Sequence, residues 1–196
     1  MQSVFFALLN RLRSTARWSG MVLTQSENVA EHTFGVALFA HALAIIDRDV
    51  YGQNVDLGEV VAAALLHDAS EAILTDVIAP VKKYNPEVEA AFKTLENLAE
   101  QQLLKTLPRE LTQTYEALFT SRSPEVHRYV HAADKLDALC KCKLELRRGN
   151  QEFAIAAQQI GEAVEEFAQG MPSVRYFLDT FMPAFDHSID EYRYLQ

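Results

Sequence analysis

Apolar residues recur along this chain at the three- and four-residue spacing of helix faces, and no segment shows the strict alternation of a half-buried strand. Val4, Phe5, Leu8, Leu9 and Leu12 predict a first helix that decays around residues 17–20. Asn28, with Glu31 three residues on, predicts a capped start. The helix that follows through Val36, Leu38, Phe39, Leu43 and Ile46 is apolar nearly all round, as expected of a central, buried helix. Asp56 and Glu59 repeat the capping pattern ahead of a third helix, from Val60 through Leu66 to about Leu74. Residues 75–85 contain Pro80 and no period, which predicts a loop. Asn85-Pro86-Glu87 and Ser123-Pro124-Glu125 each combine a cap, a first-turn proline and an acid at the positive helix end. They predict helices to about Leu107 and Arg148, the second closed by Gly149-Asn150. A shorter helix after Pro108 and two more, near residues 151–169 and 173–192, complete an all-α, multi-helix bundle.

The 196 residues suit one domain spanning 1–196, and 49% hydrophobic with 23% charged residues is ordinary globular composition. A net charge of −9 argues against a nucleic-acid polymer or an anionic membrane as partner. That charge is unevenly spread, because Arg11, Arg13 and Arg17 precede the first acid, Glu27. A small basic island in an acidic protein suits a phosphate-sized ligand; a transit peptide is the competing reading. Cys140 and Cys142 lie two apart in a helical pattern, where side chains diverge and cannot bridge. They read as reduced thiols, and with no apolar run near the ~18 residues of a membrane span the cytoplasm is the expected location.

Four polar groups stand out in these apolar helices. His67-Asp68 interrupts a run that should be buried, where an unpaired carboxylate is costly. A divalent metal would compensate it, and His32, His67, Asp68 and Asp134 offer two nitrogens and two carboxylates. Adjacent helical residues diverge by ~100°, so His67 and Asp68 would have to straddle the ion from a helix edge. His41, His127, His131, His187 and Asp137 compete as donors, and spacing alone does not select among them. The Glu-x-x-His of di-metal bundles and the His-Glu-x-x-His of zinc peptidases are both missing from the sequence.

His32, then His67-Asp68, then Asp134 within His131-Ala-Ala-Asp134-Lys-Leu resemble the H…HD…D signature of the HD-domain metal-dependent phosphohydrolases. Within that superfamily the chain resembles the bacterial 5′-deoxynucleotidases, the YfbR-like family, over nearly its whole length. Arg17-Trp18 and residues 27–32 are similar to their RW and ENVSEH segments, residues 67–71 to HDASE, and residues 149–153 to GNNEF. Their TGDLPTPVK loop corresponds to residues 74–82, where Asp76 and Pro80 persist but Thr75 directly precedes the Asp and Ile78-Ala79 replaces Pro-Thr.

The resemblance implies an HD-domain bundle acting as a homodimer, with one divalent cation per site (Co²⁺, Mn²⁺ or similar), that releases phosphate from deoxyribonucleoside 5′-monophosphates. It makes His32, His67, Asp68 and Asp134 the metal ligands. The distance from Asp134 to Gly149 matches the family, which favours Asp134 over Asp137. Arg17 is the candidate phosphate clamp and Trp18 a surface for sugar or base, with His32, Asp68, Asp76, Val77, Ile78 and Ala79 completing the substrate site. Glu71 and Asp76 are candidates for acid/base work, and Ala72, where related two-metal enzymes carry an acid, favours a single metal. His131 is assigned a structural role, His41 core or interface, and Lys82 and Lys83 a solvated loop in preference to a positive wall of the pocket. A regulatory HD domain that binds nucleotide without turnover, and a helical interaction module, are the alternative functions.

Overall fold

The computed structural model describes residues 2–120, 123–188 and 191. Helix α1 (Phe5–Leu9) passes into a 3₁₀ turn over Asn10–Ser14, so the first apolar stretch is helical but not one helix. Helix α2 (Val29–Asp49) opens on a complete capping box: Asn28 Oδ1 accepts from the Glu31 N–H at 3.0 Å and the Asn28 N–H donates to Glu31 at 3.0 Å. Helix α3 (Leu57–Leu65) has half of that arrangement, Asp56 accepting from the Glu59 N–H. The short helices α4 (Glu71–Leu74) and α5 (Ala79–Lys82) lead to α6 (Pro86–Leu104) and α7 (Arg109–Thr120).

Helix α8 (Pro124–Arg147) is capped by Ser123 and closes at Gly149, φ +86°, where the Asn150 N–H bonds the Glu145 carbonyl and the Gly149 N–H that of Leu146. That pairing satisfies carbonyls the helix end would otherwise leave bare. A 3₁₀ turn over Gln151–Phe153 precedes α9 (Ala154–Gly170), and α10 (Pro172–Thr180) is followed by another over Met182–Asp186. The last helix was expected to reach Tyr192; it stops in front of Pro183, which has no N–H for a helical bond, and Tyr192 lies outside the described residues.

Two departures bear on chemistry. The third helix does not continue to Leu74. From Leu66 to Ser70 the backbone runs in tight turns, with the Ala69 N–H bonded to Leu66 and that of Glu71 to Asp68. His67 Nδ1 bonds the Ala64 carbonyl at 2.8 Å, taking an acceptor the helix would have used. Residues 75–85 are not wholly irregular either, since α5 forms inside them.

The main core joins α2, α3, α8, α9 and α10 through fully buried Val36, Leu43, Val60, Leu136, Val164 and Val174. A second cluster packs Phe5 and Leu66 against Leu103, Leu107 and Phe119. Helix α2 is long and apolar enough to cross a membrane by composition, but half of its apolar stretch is buried within the fold. Its remaining face carries Phe34, Leu38 and His41, all exposed, so His41 is a surface residue of the protomer rather than a core one.

Candidate active site and metal centre

The turn at residues 66–70 explains how adjacent residues serve one point. On a regular helix His67 and Asp68 would diverge; on this turn their Nε2 and Oδ2 atoms stand 3.0 Å apart. Helix α2 brings His32 Nε2 to 3.3 Å from His67 Nε2 and 3.5 Å from Asp68 Oδ2. Helix α8 places Asp134 Oδ1 3.2 Å from the same His32 nitrogen. Three of the four predicted metal ligands, His32, His67 and Asp68, therefore present donor atoms all within 4.8 Å of one another, and Asp134 joins them through its contact with His32.

These donors fit a divalent cation. His67 Nδ1 bonds a backbone carbonyl and His32 Nδ1 lies 2.7 Å from Asp137 Oδ2, so each ring holds its N–H there and turns an Nε2 lone pair toward the other. Two lone pairs and two carboxylates this close require a positive charge between them. The separations of 3.0–3.5 Å are those of donors around an ion with ligand distances of ~2.1 Å, whose polyhedron edges are ~3.0 to 3.4 Å. Burial works against both carboxylates ionising, yet the imidazoles and Lys135 hold Asp68 down at about 2 and Asp134 well below the usual range. Burial likewise opposes a charge on His32, but its hydrogen bonds to Asp134 and Asp137 raise it to about 9. Without an ion a proton on Nε2 thus supplies the positive charge this cluster calls for, and a cation would have to displace that proton to meet the lone pair. A second cluster, Glu27, His32 and Asp137, also gathers donor atoms within 4.8 Å. Its cation is already present, because Arg17 Nη1 is 3.1 Å from Glu27 Oε1 and 3.9 Å from Asp137 Oδ2.

Arg17 is positioned by its backbone. Residues 16 and 28 form an isolated antiparallel bridge, with the Arg17 N–H on the Glu27 carbonyl and the Val29 N–H on that of Thr15. Glu27 then receives two donors, Arg17 Nη1 on Oε1 and Trp18 Nε1 on Oε2 at 2.8 Å. Trp18 adopts φ +59° and packs its ring on Phe153, and the Arg17 guanidinium lies 5.6 Å from the Trp18 ring centre. Below them, buried Glu145 accepts hydrogen bonds from both the N–H and the hydroxyl of Thr24, and from Gln25, Asn150 and Lys141. That carboxylate ties the loop ahead of Glu27 to the end of α8.

A cleft of about 470 Å³ opens beside the ligands. Every residue predicted for substrate except His32 lines it: Arg17, Trp18, Asp68, Asp76, Val77, Ile78 and Ala79, together with Glu71. His32 sits beneath, 1% exposed, with its Nε2 in the ligand cluster. The sequence reading missed the opposite wall, Ala156, Gln159 and Ile160 of α9, and misplaced Lys82. Lys82 faces the cleft and pairs with Glu71 and Glu96, each at 3.3 Å, whereas Lys83 is solvent-exposed as expected. His131 stacks on His127 at 3.9 Å between ring centres.

Glu71 is buried, and its Oε2 has no hydrogen-bond partner. Burial, then the charges of Asp68 and Asp76, push its carboxyl up to about 8 against the pull of Lys82. Asp76 is raised as well, again chiefly by burial. Between them Thr75 takes φ +67°, ψ 166°, a region that suits glycine, and it stands where the TGDLPTPVK motif has one. Strain of this kind costs ~1–3 kcal/mol, so Thr75→Gly is expected to raise unfolding stability by ~1 kcal/mol. Urea titration measures the change, and an unaltered midpoint would show that the turn is relaxed.

A family model described as 5′-deoxynucleotidase YfbR-like matches residues 4–185. The 5′-deoxynucleotidase of Vibrio vulnificus is 40% identical over 192 residues, covering 97% of this chain and 98% of its own. Among solved structures, an HD-domain phosphohydrolase from Listeria innocua superposes with a TM-score of 0.82 at 25% identity, over 92% of this chain and 87% of that one. The HD phosphohydrolase DatZ of cyanophage S-2L, bound to dA and one catalytic Zn²⁺, shares the fold at a TM-score of 0.65 and 19% identity, over 94% and 96% of the two chains. With the ligand cluster, the Arg17–Trp18 segment and the cleft already in place, these matches establish that the chain belongs to the 5′-deoxynucleotidase YfbR-like family of HD-domain phosphohydrolases.

Proposed function

We propose that this protein is a metal-dependent phosphomonoesterase that hydrolyses deoxyribonucleoside 5′-monophosphates to deoxyribonucleoside and phosphate. The observation that carries the reading is the convergence on one cleft of a two-imidazole, two-carboxylate cluster and a fixed guanidinium. His32, His67, Asp68 and Asp134 would hold the ion. A divalent ion in such a site supplies an activated water and neutralises phosphoryl charge. Arg17 grips the phosphate from the other side with a planar, two-pronged donor. Trp18 offers its ring to sugar or base, and Asp76 through Ala79 bound the sugar end. Glu71 would exchange a proton with the attacking water or the leaving 5′ oxygen, with Asp76 as its partner acid or base, a role supported by its unpartnered Oε2 and its position on the cleft.

The test is phosphate release across a panel of deoxy- and ribonucleoside monophosphates, before and after chelation and with Co²⁺, Mn²⁺ or Zn²⁺ restored. Metal-dependent release favouring deoxy substrates supports the reading; nucleotide binding with no turnover under any metal points to the regulatory alternative. Arg17→Ala is expected to lower kcat/KM by ~10²-fold, the effect of removing one aimed charge from a transition state, with bound metal unchanged. Full activity in that variant would take Arg17 out of the clamp.

We also read the protein as a cytoplasmic homodimer. Cys140 and Cys142 are buried and unpaired, their thiols pushed up to about 12 and about 11 by burial, which suits a reducing compartment. Phe34 and Leu38, 70% and 52% exposed one turn apart on α2, supply the apolar face a partner copy would cover. Light scattering should give about twice the 22.1 kDa chain mass, and a monomer mass would remove the dimer.

A further inference from the structure

Resting on the metal-centre reading above, we propose that Asp137 is a positioning residue. Its carboxylate locks His32 with the Nε2 lone pair aimed into the ligand cluster and joins that ligand to Arg17, in a slot kept open by Gly35. Asp137 is one turn beyond Asp134 on α8, so both acids reach the same imidazole from one helix face. They reach different nitrogens: Asp134 Oδ1 is 3.2 Å from Nε2 and Asp137 Oδ2 is 2.7 Å from Nδ1. Asp137 therefore lies on the far side of the ring from the ligand cluster, where it accepts the Nδ1 proton. This is the arrangement by which a metal-binding histidine has its tautomer and orientation fixed.

The other oxygen identifies Gly35 as part of the device. A Cβ on Gly35 would stand 1.9 Å from Asp137 Oδ1 and 2.8 Å from its Cγ, a separation no side-chain carbon tolerates. Gly35 is three residues after His32 on α2, so the absent side chain belongs to the helix face that presents the ligand. The slot admits the carboxylate between the two helices. From it Asp137 Oδ2 also lies 3.9 Å from Arg17 Nη1, so one carboxylate touches the ring that holds the metal and the guanidinium that holds the phosphate.

The experiment measures Zn²⁺ affinity by competition with a chromophoric chelator for the wild-type protein, Asp137→Ala, Asp137→Asn, Gly35→Ala and the Asp137→Ala/Gly35→Ala double variant. Long-range ¹H–¹⁵N spectra of the Zn²⁺-loaded proteins report the His32 ring. Asp137→Ala should weaken Zn²⁺ by ~10- to 100-fold, the usual effect of losing such a partner, and its His32 Nδ1–H should disappear into solvent exchange. Asp137→Asn, which keeps an acceptor but no charge, should fall between. Gly35→Ala should also weaken Zn²⁺ by expelling the carboxylate, yet add nothing in the double variant, where there is no carboxylate to expel.

Wild-type affinity with the His32 Nδ1–H retained in Asp137→Ala overturns the proposal, as do additive losses in the double variant. Should Asp137→Ala not fold, Asp137→Asn and Gly35→Ala carry the same comparison. A wild-type protein that takes up no Zn²⁺ overturns the metal-centre reading and this proposal together; a wild-type protein that binds beside unaffected variants overturns this proposal alone.

Discussion

Asp68→Ala should release phosphate from deoxyribonucleoside monophosphates at least ~10³-fold more slowly than the wild-type protein, since a bound cation contributes several kcal/mol to charge stabilisation at a phosphoryl centre. The size follows from where Asp68 stands. Its Oδ2 is 3.0 Å from His67 Nε2 and 3.5 Å from His32 Nε2, so it faces both nitrogens, and it also lines the cleft. Its removal takes one of two negative charges from the cluster and leaves two imidazoles facing each other at 3.3 Å with Asp134 alone. Metal analysis after desalting should show depletion while the circular-dichroism melting curve stays that of a folded helical protein, which together separate loss of the ion from loss of the fold. Turnover within tenfold of wild type would place the reacting centre elsewhere in the cleft.

Glu145→Ala is expected to lower unfolding stability by ~3–5 kcal/mol, the range for breaking a buried ion pair from one side. Glu145 is 0% exposed, and Lys141, 8% exposed, donates to it and to the Gln25 carbonyl. Alanine strands that ammonium and unpairs Thr24 and Asn150 as well. For a chain of this length the loss corresponds to a fall in Tm of ~10 °C, readable by calorimetry. The interaction has a pH signature. Burial alone would raise the Glu145 carboxyl, but its hydrogen bonds from Lys141, Asn150 and Thr24 hold it well below the ordinary range. A depressed carboxylate contributes its full stabilisation above the unfolded value of ~4.3 and loses it as pH falls toward the folded one. The wild-type advantage over Glu145→Ala should thus be complete at neutral pH and shrink in acid. A constant difference down to pH 3 would assign it to packing alone.

The helices were legible wherever a cap and a first-turn proline marked them, as at Asn85-Pro86 and Ser123-Pro124, because those signals are local. The break after Leu65 was not legible. Apolar spacing continues through Leu66, and what ends the helix is a side chain, His67, bonding the Ala64 carbonyl while turned toward His32 from another helix. The four candidate ligands, two histidines and two aspartates in order, were readable through the family resemblance. Spacing to Gly149 favoured Asp134 over Asp137 as ligand, but the contact of Asp137 with the other nitrogen of His32 was not legible, since it depends on the direction of the imidazole between the two acids. Lys82 was assigned to solvent because a lysine in a loop usually is; its partners Glu71 and Glu96 come from different helices. Ala156, Gln159 and Ile160 belong to α9 and read as an ordinary helix face until α8 sets them across the cleft.

Glu27 has a consequence for how this site can change. Each of its oxygens is committed, one to the Arg17 guanidinium and one to the Trp18 indole. The two groups proposed to address opposite ends of a nucleotide are therefore hung from a single carboxylate, and neither can be re-aimed without disturbing the other. Divergence or engineering toward a new base has to proceed through side chains outside that linkage. Ile78 and Ile160 meet the condition: both line the cleft, neither bonds to Glu27, and each can be exchanged for another apolar side chain while the anion-binding end keeps its geometry.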